Sequence, residues 1–339
     1  MDINFLPRIL YKNGTTLNIV GGMLYTLLKN ANDIQEETKM RSIRSWIVER
    51  LLKRLSNKDN FTDERLYAEF LKEKQIENEK PYVLPKYIQK KFNIEKQHFD
   101  GMDCYIFNKE KKPSEKSILY LHGGGYIKQP SVYHWNFLWK VAKETNVNIY
   151  VPIYPKAPNH QYKESFDKIL PIYEWILKTL DKENVILMGD SAGGGFALAL
   201  AQLLLEKELP QPRKVILLSP WLDITMKNPD AYQLEHKDPM LGIYGLIQMG
   251  KAYAGDTDGN NYLLSPINGK LNGLGEITLF IGTHEIFLPD ARKFRDIAIS
   301  KGVRMNYFEY PKMNHIFVLY PIPEAKKATK KIVNIIKNM

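Results

Sequence analysis

Cysteine occurs once in these 339 residues, at Cys104, so no disulfide can close within the chain and the fold must rest on its apolar core. Its setting, MDCYIF, reads as strand packing, and the composition suits a reducing cytosol; a cytoplasmic location is the expectation. Long apolar runs are scarce as well. LNIVGGMLYTLL ends at Lys29 after 12 residues, short of the roughly 20 that cross a ~30 Å hydrocarbon layer. Arg8 and Lys12 precede that run in the manner of a secretory leader, but no small-residue cleavage site follows in KNANDIQEE, so secretion is not expected. No internal repeat is visible, which excludes a solenoid, and glycine and proline (21 and 19) sit near average usage, which excludes collagen-like and disordered classes. Metal-spaced His/Cys clusters and a G-x-G-x-x-G dinucleotide loop are also missing, so neither a metal nor an organic cofactor is expected.

Acidic charge is the scarcer sign: 38 Asp and Glu against 48 Lys and Arg give a formal charge of +10. The lysines are interleaved with acids, as in LKEKQIENEKP and NKEKKPSEK, which describes a solvated surface and not a nucleic-acid footprint. The tail PEAKKATKKIVNIIKNM differs. Lys326, Lys327, Lys330, Lys331 and Lys337 recur at helical spacing opposite Ile332, Ile335 and Ile336, as in a C-terminal helix whose cations complement its dipole, with weak attraction to anionic membranes as the second reading.

What is abundant is alternation. From about residue 117, β-branched runs (SILYLHG, NVNIYVPIY, NVILMGD, KVILLSPW, ITLFIGT, VRMNYFEY) alternate with amphipathic stretches whose apolar residues recur every three or four positions. That pattern predicts a mostly parallel α/β sheet covered by helices on both faces. Residues 1–90 carry helical patterns without strands between them and read as an accessory or cap region, leaving 91–339 as the catalytic domain. KQHFDGMDCYIFNK reads as an antiparallel hairpin turning at Asp100-Gly101. A segment at about 223–265 interrupts the alternation and is expected to complete a helical cap over the C-terminal edge of the sheet, where open α/β sheets bind ligands.

GDSAG, residues 189–193, places Ser191 between a strand and a helix with the small residues Gly189, Ala192 and Gly193 around it. A serine on so sharp a turn projects its hydroxyl into a cleft, at a helix N-terminus that favours negative charge. HGGGY, residues 122–126, closes an earlier strand, and consecutive glycines can turn backbone N–H groups toward a developing oxyanion. Serine needs a base and an orienting carboxylate. Among the histidines beyond Ser191, His236 and His284 are possible, but His315 follows the last strand run and is the expected base. Glu285, immediately beyond ITLFIGT, is the favoured acid; Asp290 is the alternative, although it follows Pro289 and would more naturally cap the next helix. Asp190 is expected to support the turn, His122 to hold the glycine loop, and Trp135, Trp139, Trp175 and Trp221 to be mostly core, with Trp221 and Tyr126 bordering an acyl pocket.

Together HGGGY, GDSAGGG, YPKAPNHQYKESFDKIL, LLSPWLD and MNHIF resemble the hormone-sensitive-lipase-like branch of the α/β-hydrolases, over about residue 95 to the end. The resemblance implies the α/β-hydrolase fold, an oxyanion hole from Gly124, Gly125 and Ala192 with Gly123 alongside, and short- to medium-chain acyl esters. Family members commonly carry aspartate where this chain has Glu285. The expected activity is a serine carboxylic-ester hydrolase acting through an acyl-enzyme on a small-molecule ester, as a monomer or homodimer. The alternatives are an amidase or deacetylase with the same serine machinery, a non-catalytic small-molecule receptor on this fold, and a peripheral membrane protein, which would leave Ser191 unexplained.

Overall fold

A computed structural model describes residues 41–56, 58, 64–108 and 115–339. The apolar run at 17–28 and the start of the N-terminal helical region lie outside these residues. Within them, the chain runs α1 (Ile43–Leu55), α2 (Glu64–Asn78), α3 (Lys86–Phe92), β1 (Ile94–Phe99), β2 (Met102–Phe107), β3 (Ser117–Leu121), α4 (Val132–Thr145), β4 (Asn148–Pro152), α5 (Tyr162–Leu177), β5 (Val185–Asp190), α6 (Ala192–Glu206), β6 (Lys214–Leu218), α7 (Pro229–Leu234), α8 (Ile243–Ala254), β7 (Glu276–His284), α9 (Leu288–Ser300), β8 (Met305–Asn314) and α10 (Pro323–Lys337).

The eight strands form one sheet in the order β1-β2-β4-β3-β5-β6-β7-β8. β1 and β2 form the expected hairpin; Asp100 (φ 46°) and Gly101 (φ 78°) are both left-handed, the geometry that matches strand twist in a two-residue turn. β2 also pairs antiparallel with β4, and every pair from β4 through β8 is parallel.

β3, β5 and β6 are buried along their whole length, which is why they read as continuous apolar runs instead of alternating ones. Their side chains still divide by the two-residue period. Leu119, Leu121, Leu187, Val215 and Leu217 face a core shared with α5, α6 and α9; Ile118, Tyr120, Ile186, Met188, Ile216 and Leu218 face another shared with α4 and α10. α6 is apolar nearly all round, as a helix enclosed by protein must be. In α10, Ile332, Val333 and Ile336 are buried and the lysines fall on the outer side, as the tail periodicity implied. No helix among the described residues is long and apolar enough to cross a membrane.

One local expectation needs adjustment. Asp290 does not cap its helix, because α9 begins earlier, at Leu288, and places Asp290 inside its first turn.

Candidate active site

Because β3 and β5–β8 are parallel, their C-terminal ends share one edge, where open α/β sheets bind ligands, and the residue after each end falls at that edge. Ser191 directly follows β5, Ser219 follows β6, Glu285 follows β7, His315 follows β8, and the glycine loop follows β3. Ser191 has φ 52° and ψ −125°, a region that costs a non-glycine residue of order 1–3 kcal/mol and is kept only where the surroundings enforce it. The surroundings do so here. The Ser191 N–H donates to the Leu218 carbonyl at 2.9 Å, and its own carbonyl accepts from Gly194, Gly195 and Trp221 at 3.0, 3.1 and 2.9 Å. A Cβ on Gly189 would lie 2.2 Å from the Gly193 oxygen, and one on Gly193 would lie 2.0 Å from the Leu121 oxygen, so the turn excludes larger residues at both positions.

His315 Nε2 lies 2.9 Å from Ser191 Oγ, and its Nδ1 lies 2.8 Å from Glu285 Oε2. Ser191, Glu285 and His315 are therefore one hydrogen-bonded line, buried throughout. The other Glu285 oxygen, Oε1, accepts from the Ser219 hydroxyl at 2.8 Å and the Gly282 N–H at 2.6 Å. Ser219 Oγ in turn accepts the Ile316 N–H at 3.1 Å, so one hydroxyl braces both the acid and the histidine loop. Asp290 is apart from this line: its Oδ1 accepts from Asn228 Nδ2 at 2.8 Å, and burial raises its pKa. His284 pairs with Glu49 of α1 at 3.0 Å.

The glycine loop lies against the Ser191 turn. A Cβ on Gly123 would stand 2.9 Å from Ser191 Cβ, so the two motifs are in direct contact. Asp190 fixes that contact: its Oδ1 accepts the Gly123 N–H at 2.9 Å and the Tyr120 hydroxyl at 2.5 Å, while His134 Nε2 sits 3.2 Å from Oδ2. Burial opposes ionisation of Asp190, but His134, Tyr120 and Gly123 outweigh it and hold its pKa below the ordinary value. With its N–H taken by Asp190, Gly123 is not placed to serve an oxyanion. The N–H groups of Gly124, Gly125 and Ala192 meet no acceptor among the described residues; Gly124 (φ 125°) and Gly125 (φ 64°) hold backbone angles suited to glycine. His122 is buried, with Nδ1 2.7 Å from the Gly123 carbonyl and its ring stacked on Tyr154 at 4.5 Å. Burial, reinforced by Lys156, pushes its pKa well below normal and keeps it neutral.

Buried aromatic rings pack beside the Ser191–His315 pair. Trp221 stacks between Tyr126 (5.7 Å) and Phe287 (5.9 Å), Tyr253 of α8 lies on Tyr126 at 3.9 Å, and Phe287 meets the His315 ring edge-on at 5.1 Å. Sequence reasoning gave no role to Ser219, Asp238 or His134. Ser219 carried one usable signal, a polar residue at the end of an apolar strand.

A family model described as alpha/beta hydrolase fold matches residues 118–319. The chain belongs to that family, in its hormone-sensitive-lipase-like branch. An esterase of Acinetobacter venetianus is 29% identical over 228 residues, covering 66% of this chain and 75% of the relative. A Staphylococcus aureus crystal structure, solved as a candidate esterase, is 34% identical with a TM-score of 0.77, covering 80% of this chain and 92% of that one. A hormone-sensitive lipase structure from a metagenome library is 28% identical with a TM-score of 0.68, covering 80% and 97%.

Proposed function

We propose that this protein is a serine carboxylic-ester hydrolase acting on small-molecule esters of short to medium acyl chain. One observation carries the reading: Ser191, His315 and Glu285 connect through 2.9 and 2.8 Å contacts, with the serine on its strained turn beside the glycine loop. The names of the similar proteins, esterase and hormone-sensitive lipase, support ester hydrolysis.

The chemistry follows from that line. Ser191 Oγ bonds to the ester carbonyl carbon as its proton passes to His315 Nε2, and the carbonyl π electrons move to oxygen. Gly124, Gly125 and Ala192 N–H groups receive that oxyanion, each such donor contributing on the order of 100- to 1,000-fold in rate. Glu285 holds the tautomer that leaves Nε2 free to accept and stabilises the imidazolium. Collapse expels the alcohol, which takes the proton from His315; water then repeats the sequence on the acyl-enzyme.

The N-terminal helices and the 223–265 insertion act as the cap. Three contacts support this: Tyr67 of α2 meets Tyr244 of α8 edge-on at 6.4 Å, Lys58 donates to the Asp238 carbonyl at 2.8 Å, and a Cβ on Gly125 would lie 2.6 Å from Met249 Sδ of α8. Met249 pressed against the oxyanion loop favours small acyl groups. The test is hydrolysis of p-nitrophenyl esters of increasing chain length by wild type and Ser191→Ala at equal folded concentration. The variant should lose at least about 1,000-fold in kcat, with the highest wild-type kcat/KM at the shorter chains. Equal hydrolysis of every ester by both proteins would overturn the reading.

A further inference from the structure

Asp238 lies in the 223–265 insertion, is buried, and directs its carboxylate at another part of the chain. Oδ1 accepts the N–H groups of Met240 (2.8 Å) and Leu241 (2.9 Å), closing a turn over Pro239. Oδ2 accepts the N–H of Ile286 at 3.1 Å, and Ile286 is the neighbour of Glu285. The same turn reaches the histidine loop: Met240 Sδ lies 3.9 Å from Nδ2 of Asn314, which precedes His315, and 3.3 Å from the Tyr320 hydroxyl. Lys58 braces the turn from behind through the carbonyls of Asp238 and Glu235.

We propose that Asp238 is a positioning residue that latches the insertion to the Glu285 loop through Ile286, and that protonation of this carboxylate releases the latch. The inference rests on the catalytic reading of Ser191, His315 and Glu285. The charged and titratable groups facing Asp238 are His315 and Glu285 across the turn, Lys58 at its carbonyl and Tyr320 beside Met240. Burial pushes the Asp238 carboxyl up to about 6; His315 and the Leu241 and Met240 N–H groups pull downward, while Glu285 adds to the rise. A proton arriving there goes to Oδ2, because Oδ1 serves two donors and Oδ2 one. The new O–H then faces the Ile286 N–H, two donors without an acceptor, and the bond that ties the insertion to the Glu285 loop is lost.

The experiment measures kcat and kcat/KM for p-nitrophenyl acetate from pH 4.5 to 9, with wild type and Asp238→Asn, together with the proton NMR signal of His315 Nδ1–H, assigned by its loss in His315→Gln. Protonation of the base alone gives the acid limb of log kcat/KM a slope of one. The wild-type slope should approach two as Asp238 also takes up a proton, and the variant should return to one. At pH 8 the variant should lose about 10- to 100-fold in kcat, the cost of a roughly 1 Å misplacement, with KM within about threefold and the Nδ1–H signal broadened. A wild-type slope of one, or a variant with wild-type kcat and an unchanged signal, overturns the proposal. If Asp238→Asn fails to fold, the wild-type slope alone decides. If wild type hydrolyses no ester, the catalytic reading fails by itself, and the Nδ1–H signal still decides for Asp238: broadening supports the latch, an unchanged signal refutes it.

Discussion

Replacing Glu285 with glutamine exchanges one oxygen for an amide nitrogen, and the structure dictates where that nitrogen must go. At Oε1 the Gly282 N–H is a backbone donor at 2.6 Å that cannot turn away, and Ser219 donates there too. The glutamine oxygen therefore stays at that end, and its NH₂ faces His315 Nδ1, 2.8 Å away in the parent. Two donors cannot share that contact, so the imidazole shifts its proton to Nε2, which then presents N–H to Ser191 and cannot accept. The equivalent change in serine proteases lowers kcat about 10⁴-fold by the same tautomer error. At about 1.36 kcal/mol per tenfold, an expected 10³- to 10⁴-fold loss corresponds to roughly 4 to 5.5 kcal/mol of transition-state stabilisation. Asp290→Asn, which touches only the Asn228 contact of the acid, should stay within about threefold of wild type. The assay is p-nitrophenyl acetate turnover at saturation, with circular dichroism to match folded concentrations. A Glu285→Gln variant keeping more than a tenth of wild-type kcat, or a greater loss from Asp290→Asn, refutes this reasoning.

Gly193→Ala places a Cβ 2.0 Å from the Leu121 oxygen and 2.6 Å from the His122 carbonyl carbon, both backbone atoms. We expect a loss of about 3 kcal/mol or more and a Tm drop of about 5 °C or more in thermal unfolding; an unchanged Tm would contradict the packing described. Asp190→Asn should cost about 3 kcal/mol at pH 7, since it breaks a buried charged network. Its pH dependence has a definite sign. The Asp190 pKa is lowered in the folded state, so its stabilisation is complete above the unfolded value of about 3.9 and is lost as pH falls through the folded value. Urea denaturation should therefore show the gap between wild type and variant narrowing below about pH 4.

The central strands and the serine turn were legible because burial on both faces leaves little choice of residue. VILMGD and KVILL are buried throughout and apolar but for Asp190 and Lys214, and the Gly189 and Gly193 contacts admit no Cβ without a clash. Glu285 and His315 were found from position alone, each being the first residue beyond a strand. Ser219 and Asp238 were not found, because each acts through one or two bonds to residues distant in sequence: Ile316 lies 97 positions from Ser219, and Ile286 lies 48 from Asp238. No spacing rule exposes such a contact. The bounds of α8 within the expected helical cap were not legible for another reason: Gly245 and Gly250 weaken its helical pattern. Gly250 packs tightly, since a Cβ there would meet Ile224 at 3.0 Å.

The most direct test of a nucleophilic Ser191 is covalent capture by diethyl p-nitrophenyl phosphate, followed by mass spectrometry of the peptide bearing residues 189–193. One equivalent of p-nitrophenol should be released, with one diethylphosphoryl group on Ser191 and none on Ser191→Ala. Unmodified Ser191 in folded wild type, or equal labelling of the alanine variant, would contradict the account.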